Sequence, residues 1–229
     1  MKTKRFVIIA GNYGSGKTEL SLNIVRQAAA EGKKTMLVDM DIVNPYFRSS
    51  EHEEDLKARG IGVVKPCFAN TAVDVPSLPA DIYAPFDSGV DCAVFDAGGD
   101  PVGAAALGLL KERFDANRED TEFLYIVNPM RPLQGTAEEV VEMLMQIQAA
   151  SRQQVTGLVN NANVATQTTP NMVAEAHAVV EEVSRLAGIP IRFVSAAAVR
   201  AKEVAALLPD MQVEPIEISM RPAWLDETC

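Results

Sequence analysis

The 229-residue sequence has few of the residues on which several common kinds of site depend. It contains three cysteines, two histidines and one tryptophan. The cysteines, Cys67, Cys92 and Cys229, form neither a CxxC pair nor a metal-ligand spacing. These absences argue against a disulfide scaffold and against a structural zinc site. We expect Cys92, which lies inside an apolar run, to be an ordinary buried side chain.

Long hydrophobic runs and an excess of positive charge are also missing. No apolar run approaches the ~20 residues that a membrane-spanning helix needs, and the formal net charge is −10. Non-specific DNA binding depends on clustered lysines and arginines, so this charge argues against a nucleic-acid partner. The apolar run after the basic N-terminus covers only residues 6–10, which is too short for a secretory signal. We therefore expect a cytoplasmic protein with no membrane partner.

What the sequence does contain is typical of a folded α/β domain. Apolar residues make up 48% and charged residues 23% of the chain, and its length is enough for a sizeable core. Short apolar runs alternate with helix-like segments, which predicts a mostly parallel sheet with helices on both faces. We expect a single three-layer α/β domain over residues 1–229.

The predicted elements follow one another in alternating order. Strands are predicted at residues 6–10, 34–39, 61–64, 91–96, 121–127, 154–159 and 191–194. Helices are predicted at residues 19–29, 50–59, 102–114, 136–150, 170–187 and 199–208. The region 66–89 contains four prolines and interrupts the pattern. We expect a loop there, either functional or a disordered connector, with a short helix at its end, and a short tail from about residue 210.

The first predicted strand runs directly into a glycine-rich loop. Its residues fit the pattern GxxxxGK[ST] between a buried strand and a helix, the context in which this pattern forms a phosphate site. They are Gly11, Asn12, Tyr13, Gly14, Ser15, Gly16, Lys17 and Thr18. The glycines permit positive φ and a close approach of the backbone to a polyphosphate. The amides of the loop and of the following helix start would then point at the anion.

Lys17 and Thr18 carry the chemistry expected of such a loop. Lys17 would reach the β- and γ-phosphates, and the Thr18 hydroxyl would complete the shell of a Mg²⁺ ion. The alternative is an ordinary glycine-rich turn, but a chance match in a chain of this length is on the order of one in a hundred, before the flanking elements are considered. The sequence therefore predicts that the protein binds a nucleoside triphosphate.

Asp96 ends an apolar strand and is followed by Gly99, which gives the arrangement DxxG. A carboxylate at this position can hold the Mg²⁺ shell, directly or through water. The amide of Gly99 could then contact the γ-phosphate and move when that phosphate leaves. The alternative is that Asp96 simply caps the next helix.

Asp39 and Asp41 form a second acidic pair after the second strand. Asp39 stands at the end of the strand and Asp41 two residues further on, in the loop, so we expect different roles. Phosphoryl transfer needs a group that orients the attacking water or acceptor. Asp41, further into the loop, is the better candidate for that group, and Asp39 for the outer shell of the metal. The alternative is that both are ordinary carboxylates at a helix start.

Three asparagines, Asn160, Asn161 and Asn163, follow the strand predicted at 154–159. An asparagine amide can donate and accept, which suits the edge of a purine. The Asn-Lys-x-Asp pattern that reads guanine in many GTPases is absent, which favours adenine. The alternative is that these asparagines only favour a turn.

Together these motifs resemble the MinD/ParA/CobQ-CobB (SIMIBI) class of P-loop NTPases. The resemblance rests on the glycine-rich loop, Asp39-Met40-Asp41, Asp96-x-x-Gly99, and the asparagine-ended strand followed by Gly188-Ile189-Pro190. It covers residues 6 to about 208. It implies the P-loop NTPase fold, ATP with Mg²⁺ as cofactors, a water-positioning role for Asp41 and a nucleotide contact at Pro190. It also implies a homodimer with nucleotide at its interface.

The sequence departs from this class at two places. Many members carry a second loop lysine where this chain has Asn12 and use it on the partner's nucleotide, so its absence argues against that mode of activation. The tail 214–229 is acidic, unlike the basic amphipathic helix with which MinD-like proteins hold membrane.

The sequence thus predicts a Mg-dependent ATPase that works as a nucleotide switch or accessory ATPase on an unknown protein partner. One alternative is an ATP-dependent ligase or kinase of the dethiobiotin-synthetase kind, with residues 67–89 forming part of a pocket for a small-molecule acceptor. A metal-insertion GTPase is another, although His52 and His177 are isolated. A third is a module that binds nucleotide and hydrolyses it negligibly.

Overall fold

The fold is organised around a parallel sheet. The computed structural model describes residues 3–41, 53–68, 76–77 and 79–219. Within these ranges, eight parallel strands form one sheet: β1 (Phe6–Gly11), β2 (Thr35–Asp39), β3 (Gly62–Val64), β6 (Cys92–Asp96), β7 (Thr121–Val127), β8 (Gly157–Asn160), β9 (Ile191–Ala197) and β10 (Val213–Ile216). Two further strands, β4 (Cys67–Phe68) and β5 (Pro76–Ser77), pair antiparallel with each other.

The order of the strands sets where a ligand can bind. The sheet runs β10-β9-β8-β7-β1-β6-β2-β3, so β1 lies between β6 and β7. Strands β6, β2 and β3 lie on one side of β1, and strands β7 to β10 lie on the other side. In sheets of this kind, ligands bind outside the carboxyl ends of the strands where the connections diverge. The register places Ile9 of β1 beside Asp96 of β6, and Asp96 beside Asp39 of β2. Asp39 and Asp96 therefore project from the same face.

The helices are of very different lengths. They are α1 (Lys17–Ala30), α2 (Glu53–Ala58), α3 (Ala84–Asp87), α4 (Pro101–Ala105), α5 (Lys111–Ala116), α6 (Ala137–Ser151), α7 (Pro170–Ala187) and α8 (Ala201–Leu207). Thr136 and Thr169 cap α6 and α7 by accepting hydrogen bonds from backbone amides, Glu139 completes a capping box on α6, and Pro170 opens α7. No helix in the described ranges is long and apolar enough to cross a membrane.

Both faces of the sheet are covered by apolar side chains. On one face, α1 contributes Leu20 and Val25 to a cluster that includes Val7 and Val94 of the strands. On the other face, residues of α6 and α7 pack with the alternate residues of the same strands, for example Phe95. Cys92 is buried as predicted. The expectation of a three-layer α/β fold with a mostly parallel sheet is confirmed.

Two local predictions were wrong. The helix expected at 102–114 is three pieces, α4, a 3₁₀ turn at Ala106–Leu110 and α5, and Gly103 and Gly108 weaken helix formation inside this run. The tail expected from about residue 210 contains β10, an edge strand next to β9. Pro215 lies inside this strand, and an edge strand tolerates proline because one of its sides is unpaired.

The remaining boundaries agree to within a few residues. The strand expected at 154–159 begins only at Gly157, and the strand expected at 191–194 continues to Ala197. The short helix expected at the end of region 66–89 is α3, preceded by a 3₁₀ turn at Ala80–Tyr83. Residues 69–75 and 78 of that region, and residues 50–52 of the expected helix 50–59, lie outside the described residues.

Candidate functional site

A cavity of about 520 Å³ opens at the carboxyl edge of the sheet. It lies against the segments that follow β1, β2, β6, β8 and β9. The predicted site residues that line it are Tyr13, Gly14, Gly16, Lys17, Thr18, Asp39, Asp41, Asp96, Gly99, Asn161 and Asn163. The fold therefore brings together residues that are up to 150 positions apart in the chain.

The glycine-rich loop, residues 11–18, takes the backbone shape that its glycines allow. Gly14 and Gly16 have φ of 72° and 92°, values in the left-handed region. Gly16 is the N-terminal cap of α1, and Lys17 is its first residue. A side chain at Gly16 would place its Cβ 2.2 Å from Asn161 Nδ2. Lys17 and Thr18, the first residues of α1, line the cavity, so the amino end of the helix dipole faces it.

Lys17 is a buried cation at this helix start. Its exposure is 9%, and its ammonium donates a hydrogen bond to the Asn12 carbonyl at 3.1 Å. Burial lowers the pKa of Lys17, and the charges of Asp96, Asp41 and Asp100 act in the opposite direction. A Cβ at Gly99 would lie 2.8 Å from Lys17 Nζ, so the absence of a side chain at Gly99 leaves room for this ammonium.

Asp96 and Asp39 are buried carboxylates at neighbouring strand ends, each 4% exposed. Asp96 Oδ1 has no hydrogen-bond partner among the described residues. Burial raises the pKa of Asp96 to about 6, against the opposing effects of the Thr18 hydroxyl and the Lys17 ammonium. The cap of α4 is Asp100, which accepts a hydrogen bond from the Gly103 amide at 2.7 Å. The alternative role of Asp96 as that cap is therefore excluded.

Asp41 lies at the mouth of the cavity, just past the end of β2. Its backbone amide donates to Asp39 Oδ1 at 3.0 Å, which fixes the turn that follows the strand. Its carboxylate Oδ1 lies 3.4 Å from the position that a Cβ would take at Gly98. Asp41 is half-buried and lines the cavity, so its carboxylate stands beside the loop that follows β6.

The oxygen donors at this end of the cavity fit a hard divalent cation. Asp96 with its unpartnered oxygen, the Thr18 hydroxyl and Asp39 are ligands of the kind that Mg²⁺ prefers. Two carboxylates and one hydroxyl match the way Mg²⁺ is usually bound, through one or two carboxylates together with water and phosphate oxygens.

Replacing Asp96 by asparagine is expected to stabilise the ligand-free protein at pH 7.5 by roughly 1–3 kcal/mol. The pKa of Asp96 lies above its ordinary value. Between pH 3.8, the ordinary pKa of an aspartate, and about pH 6, the folded protein therefore binds more protons than the unfolded chain. The free energy of unfolding of the wild-type protein falls as the pH rises through this range. Urea unfolding should show that Asp96→Asn raises the free energy of unfolding more at pH 7.5 than at pH 5. An equal gain at both values would contradict the buried-charge account.

The asparagines after β8 brace the loop. Asn161 Nδ2 donates to the Ser15 carbonyl at 2.6 Å, and Asn161 Oδ1 accepts from the Ser195 hydroxyl at 2.6 Å. Asn163 Nδ2 donates to the Asn161 carbonyl. Asn160 is fully buried, with its amide between the Ala162 backbone and His177, and it does not line the cavity. The structure therefore does not place Asn160 where it could read a base.

The predicted nucleotide contact at Pro190 is wrong. Pro190 is exposed and directly precedes β9, so it lies at the amino edge of a parallel sheet whose cavity is at the carboxyl edge. Its carbonyl accepts a hydrogen bond from the Leu158 amide and serves the sheet. The contact was inferred from the Gly188-Ile189-Pro190 motif. That motif lies at the start of β9, whereas the cavity lies at the carboxyl end of β9.

Several lining residues were missed by the sequence analysis. The cavity lining also includes the apolar residues Val173, Val199, Val204, Ile216 and Ile218. Val199 follows β9, so the rule that ligands bind at the carboxyl ends of strands could have found it. Ile216 and Ile218 belong to β10 and its end, which the sequence analysis read as a tail. Arg131, in the loop after β7, also lines the cavity.

Three solved structures show the same fold. FtsY from Thermotoga maritima is 18% identical with a TM-score of 0.55, and the match covers 86% of this chain and 63% of that one. Chloroplast FtsY from Physcomitrella patens is 16% identical with a TM-score of 0.56, covering 85% and 59%. The signal recognition particle receptor FtsY from Elizabethkingia anophelis, in complex with GDP, is 19% identical with a TM-score of 0.51, covering 85% and 58%. The chain thus spans less than two thirds of the length of these proteins.

The family follows from a match at the level of sequence. No curated protein sequence matches the chain. A family model described as the CobQ/CobB/MinD/ParA nucleotide binding domain matches residues 6–204, which include the glycine-rich loop, both acidic strand ends and the cavity-lining residues as far as Val204. The expected P-loop NTPase class is confirmed, and the chain belongs to the CobQ/CobB/MinD/ParA nucleotide-binding family.

Proposed function

We propose that the protein binds Mg–ATP in this cavity and hydrolyses it, as a nucleotide switch or an accessory ATPase for a protein partner. The observation that carries the proposal is the pairing of Lys17 at the start of α1 with the buried Asp96 and its unpartnered oxygen. A buried cation at a helix start, with a buried carboxylate nearby at a strand end, suits an anionic ligand that arrives with a metal ion.

In this proposal the phosphates, the metal ion and the attacking water are held by different residues of the cavity. The amides of the glycine-rich loop and Lys17 hold the phosphates. Thr18 and Asp96 hold Mg²⁺, and Asp39 supports its outer shell. When bound, Mg²⁺ neutralises charge on the phosphates. The residues of the chain itself orient the polyphosphate, and Asp41 orients the attacking water.

The base is proposed to be adenine. Recognition of guanine needs an acceptor such as a carboxylate for its N–H groups. Among the described residues the cavity-lining carboxylates are Glu19, Asp39, Asp41 and Asp96, and Glu19 accepts hydrogen bonds from the Ser219 amide and hydroxyl. The cavity lining also contains apolar residues such as Val173 and Val204, against which a purine ring can pack.

ATP is expected to compete at least as well as GTP for the purified protein. Competition of each nucleotide against a fluorescent ATP analogue, with Mg²⁺ present, measures the preference. A tenfold preference for GTP, about 1.4 kcal/mol in the other direction, would overturn the adenine assignment and leave triphosphate binding intact. The absence of any nucleotide binding would overturn the proposed function itself.

We also propose that two nucleotide-bound chains associate through the surface around the loop. Large apolar side chains are exposed there: Tyr13 at 69% and Leu133 at 69%. The Leu133 carbonyl accepts a hydrogen bond from Asn12 Nδ2, so Leu133 lies beside the loop. Sedimentation should show a dimer with a non-hydrolysable ATP analogue and a monomer with ADP. An unchanged mass in both states would contradict this.

A further inference from the structure

The loop that joins β7 to α6, residues 128–136, folds onto the glycine-rich loop. Asn12 Nδ2 donates to the Leu133 carbonyl at 3.1 Å, and Gln134 Nε2 lies 3.5 Å from the Tyr13 carbonyl. Leu133 has φ of 61°, a value that leucine rarely adopts. This backbone shape is held by the contact with Asn12, which is itself only 7% exposed.

The same loop is anchored on its other side by buried amides. Gln134 Oε1 accepts a hydrogen bond from the backbone amide of Asn128 at 3.0 Å, and the side chains of both residues are buried. Asn128 Oδ1 accepts from the Met130 and Asn163 amides, and its Nδ2 donates to the Asn163 carbonyl. The segment is therefore fixed between the glycine-rich loop and the asparagines after β8, so that its position is coupled to both.

Arg131 lies at the tip of this fixed segment. Its Cδ and Nε are each 3.9 Å from the position that a Cβ would take at Gly14, so the guanidinium stem lies against the middle of the glycine-rich loop. Arg131 is exposed, and its side chain makes no ion pair or hydrogen bond within the described part of the chain. Lys17 and Arg200 are the other basic residues that line the cavity in the described part of the chain. Lys17 is buried, and Arg200 pairs with Glu203 at 3.5 Å.

We propose that Arg131 is a phosphate-contacting residue that donates to oxygens of the bound triphosphate in its own chain. The inference rests on the proposed function, because it needs a polyphosphate above the glycine-rich loop. A guanidinium is suited to this role, since it can form two parallel hydrogen bonds to one phosphate. Asn12 acts as a positioning residue: it carries no charge itself and holds the Leu133 backbone, which sets the place of Arg131.

The test compares Arg131→Ala and Arg131→Lys with the wild-type protein by calorimetric titration of Mg–ATP and of AMP. The matched control is Arg118→Ala, which removes the same charge from an exposed site just before β7, at the amino edge of the sheet. Arg131→Ala should weaken Mg–ATP binding about tenfold or more, with AMP affected much less. Arg131→Lys should recover part of the loss, because it restores charge without the planar fork.

Tripolyphosphate titration serves as a second measurement that is independent of the base. Its affinity should fall with Arg131→Ala and stay unchanged with Arg118→Ala. Equal Mg–ATP affinities for Arg131→Ala and Arg118→Ala would overturn the assignment of Arg131 while leaving the proposed function standing. If the wild-type protein binds neither Mg–ATP nor tripolyphosphate, the proposed function fails first, and the role of Arg131 fails with it.

Discussion

Replacing Lys17 by alanine is expected to abolish measurable binding of a nucleoside triphosphate. The Lys17 ammonium is buried at the start of α1 and, among the described residues, makes one hydrogen bond, to the Asn12 carbonyl. Two donor hydrogens therefore remain for phosphate oxygens. Loss of such charge-assisted contacts costs about 2–3 kcal/mol or more, which is on the order of a hundredfold in affinity.

The measurement is calorimetric titration of Mg–ATP into the wild-type and variant proteins. Because Lys17 lies beside the buried Asp96, its removal can also lower stability, so Lys17→Met provides a second variant that keeps most of the side-chain volume. Lys57→Ala, which removes an exposed cation from α2, is the control and should bind normally. A folded Lys17→Ala protein with unchanged Mg–ATP affinity would remove the glycine-rich loop from the site.

The part of the site that sequence alone could predict is the part made by short, contiguous motifs. The glycine-rich loop is defined by local backbone demands, because Gly14 and Gly16 need positive φ and Lys17 starts a helix. Asp39 and Asp96 could be placed together because each ends a parallel strand, and the carboxyl ends of such strands share one edge. Their exact register, side by side, required the strand order.

The parts that sequence could not predict depend on contacts between distant segments. Asn160 and Asn161 are neighbours with the same chemistry, yet one is buried against His177 and the other braces Ser15. Alternation along the chain separates them, and only tertiary packing decides which one faces the cavity. Ile216 was missed for a similar reason, since it belongs to a short edge strand that is recognised only by its pairing with β9.

Asp41 is the residue expected to separate binding from hydrolysis. Its carboxylate stands beside Gly98 at the mouth of the cavity, whereas the carboxylates of Asp39 and Asp96 are buried below it. A carboxylate at the mouth can orient a water toward the γ-phosphate without holding the nucleotide. Asp41→Ala should therefore leave the Mg–ATP affinity within a few-fold and lower turnover by roughly 10²-fold or more.

Two comparisons make the Asp41 experiment specific. Asp96→Ala should instead weaken the Mg²⁺ dependence of binding, because Asp96 is proposed to hold the ion. Asp210→Ala removes an exposed carboxylate that precedes β10 at the opposite edge of the sheet and should change neither quantity. Single-turnover hydrolysis with enzyme in excess isolates the chemical step from product release. If Asp41→Ala hydrolyses ATP at the wild-type rate under these conditions, Asp41 is only a loop carboxylate, and the water must be oriented by another group at the mouth of the cavity.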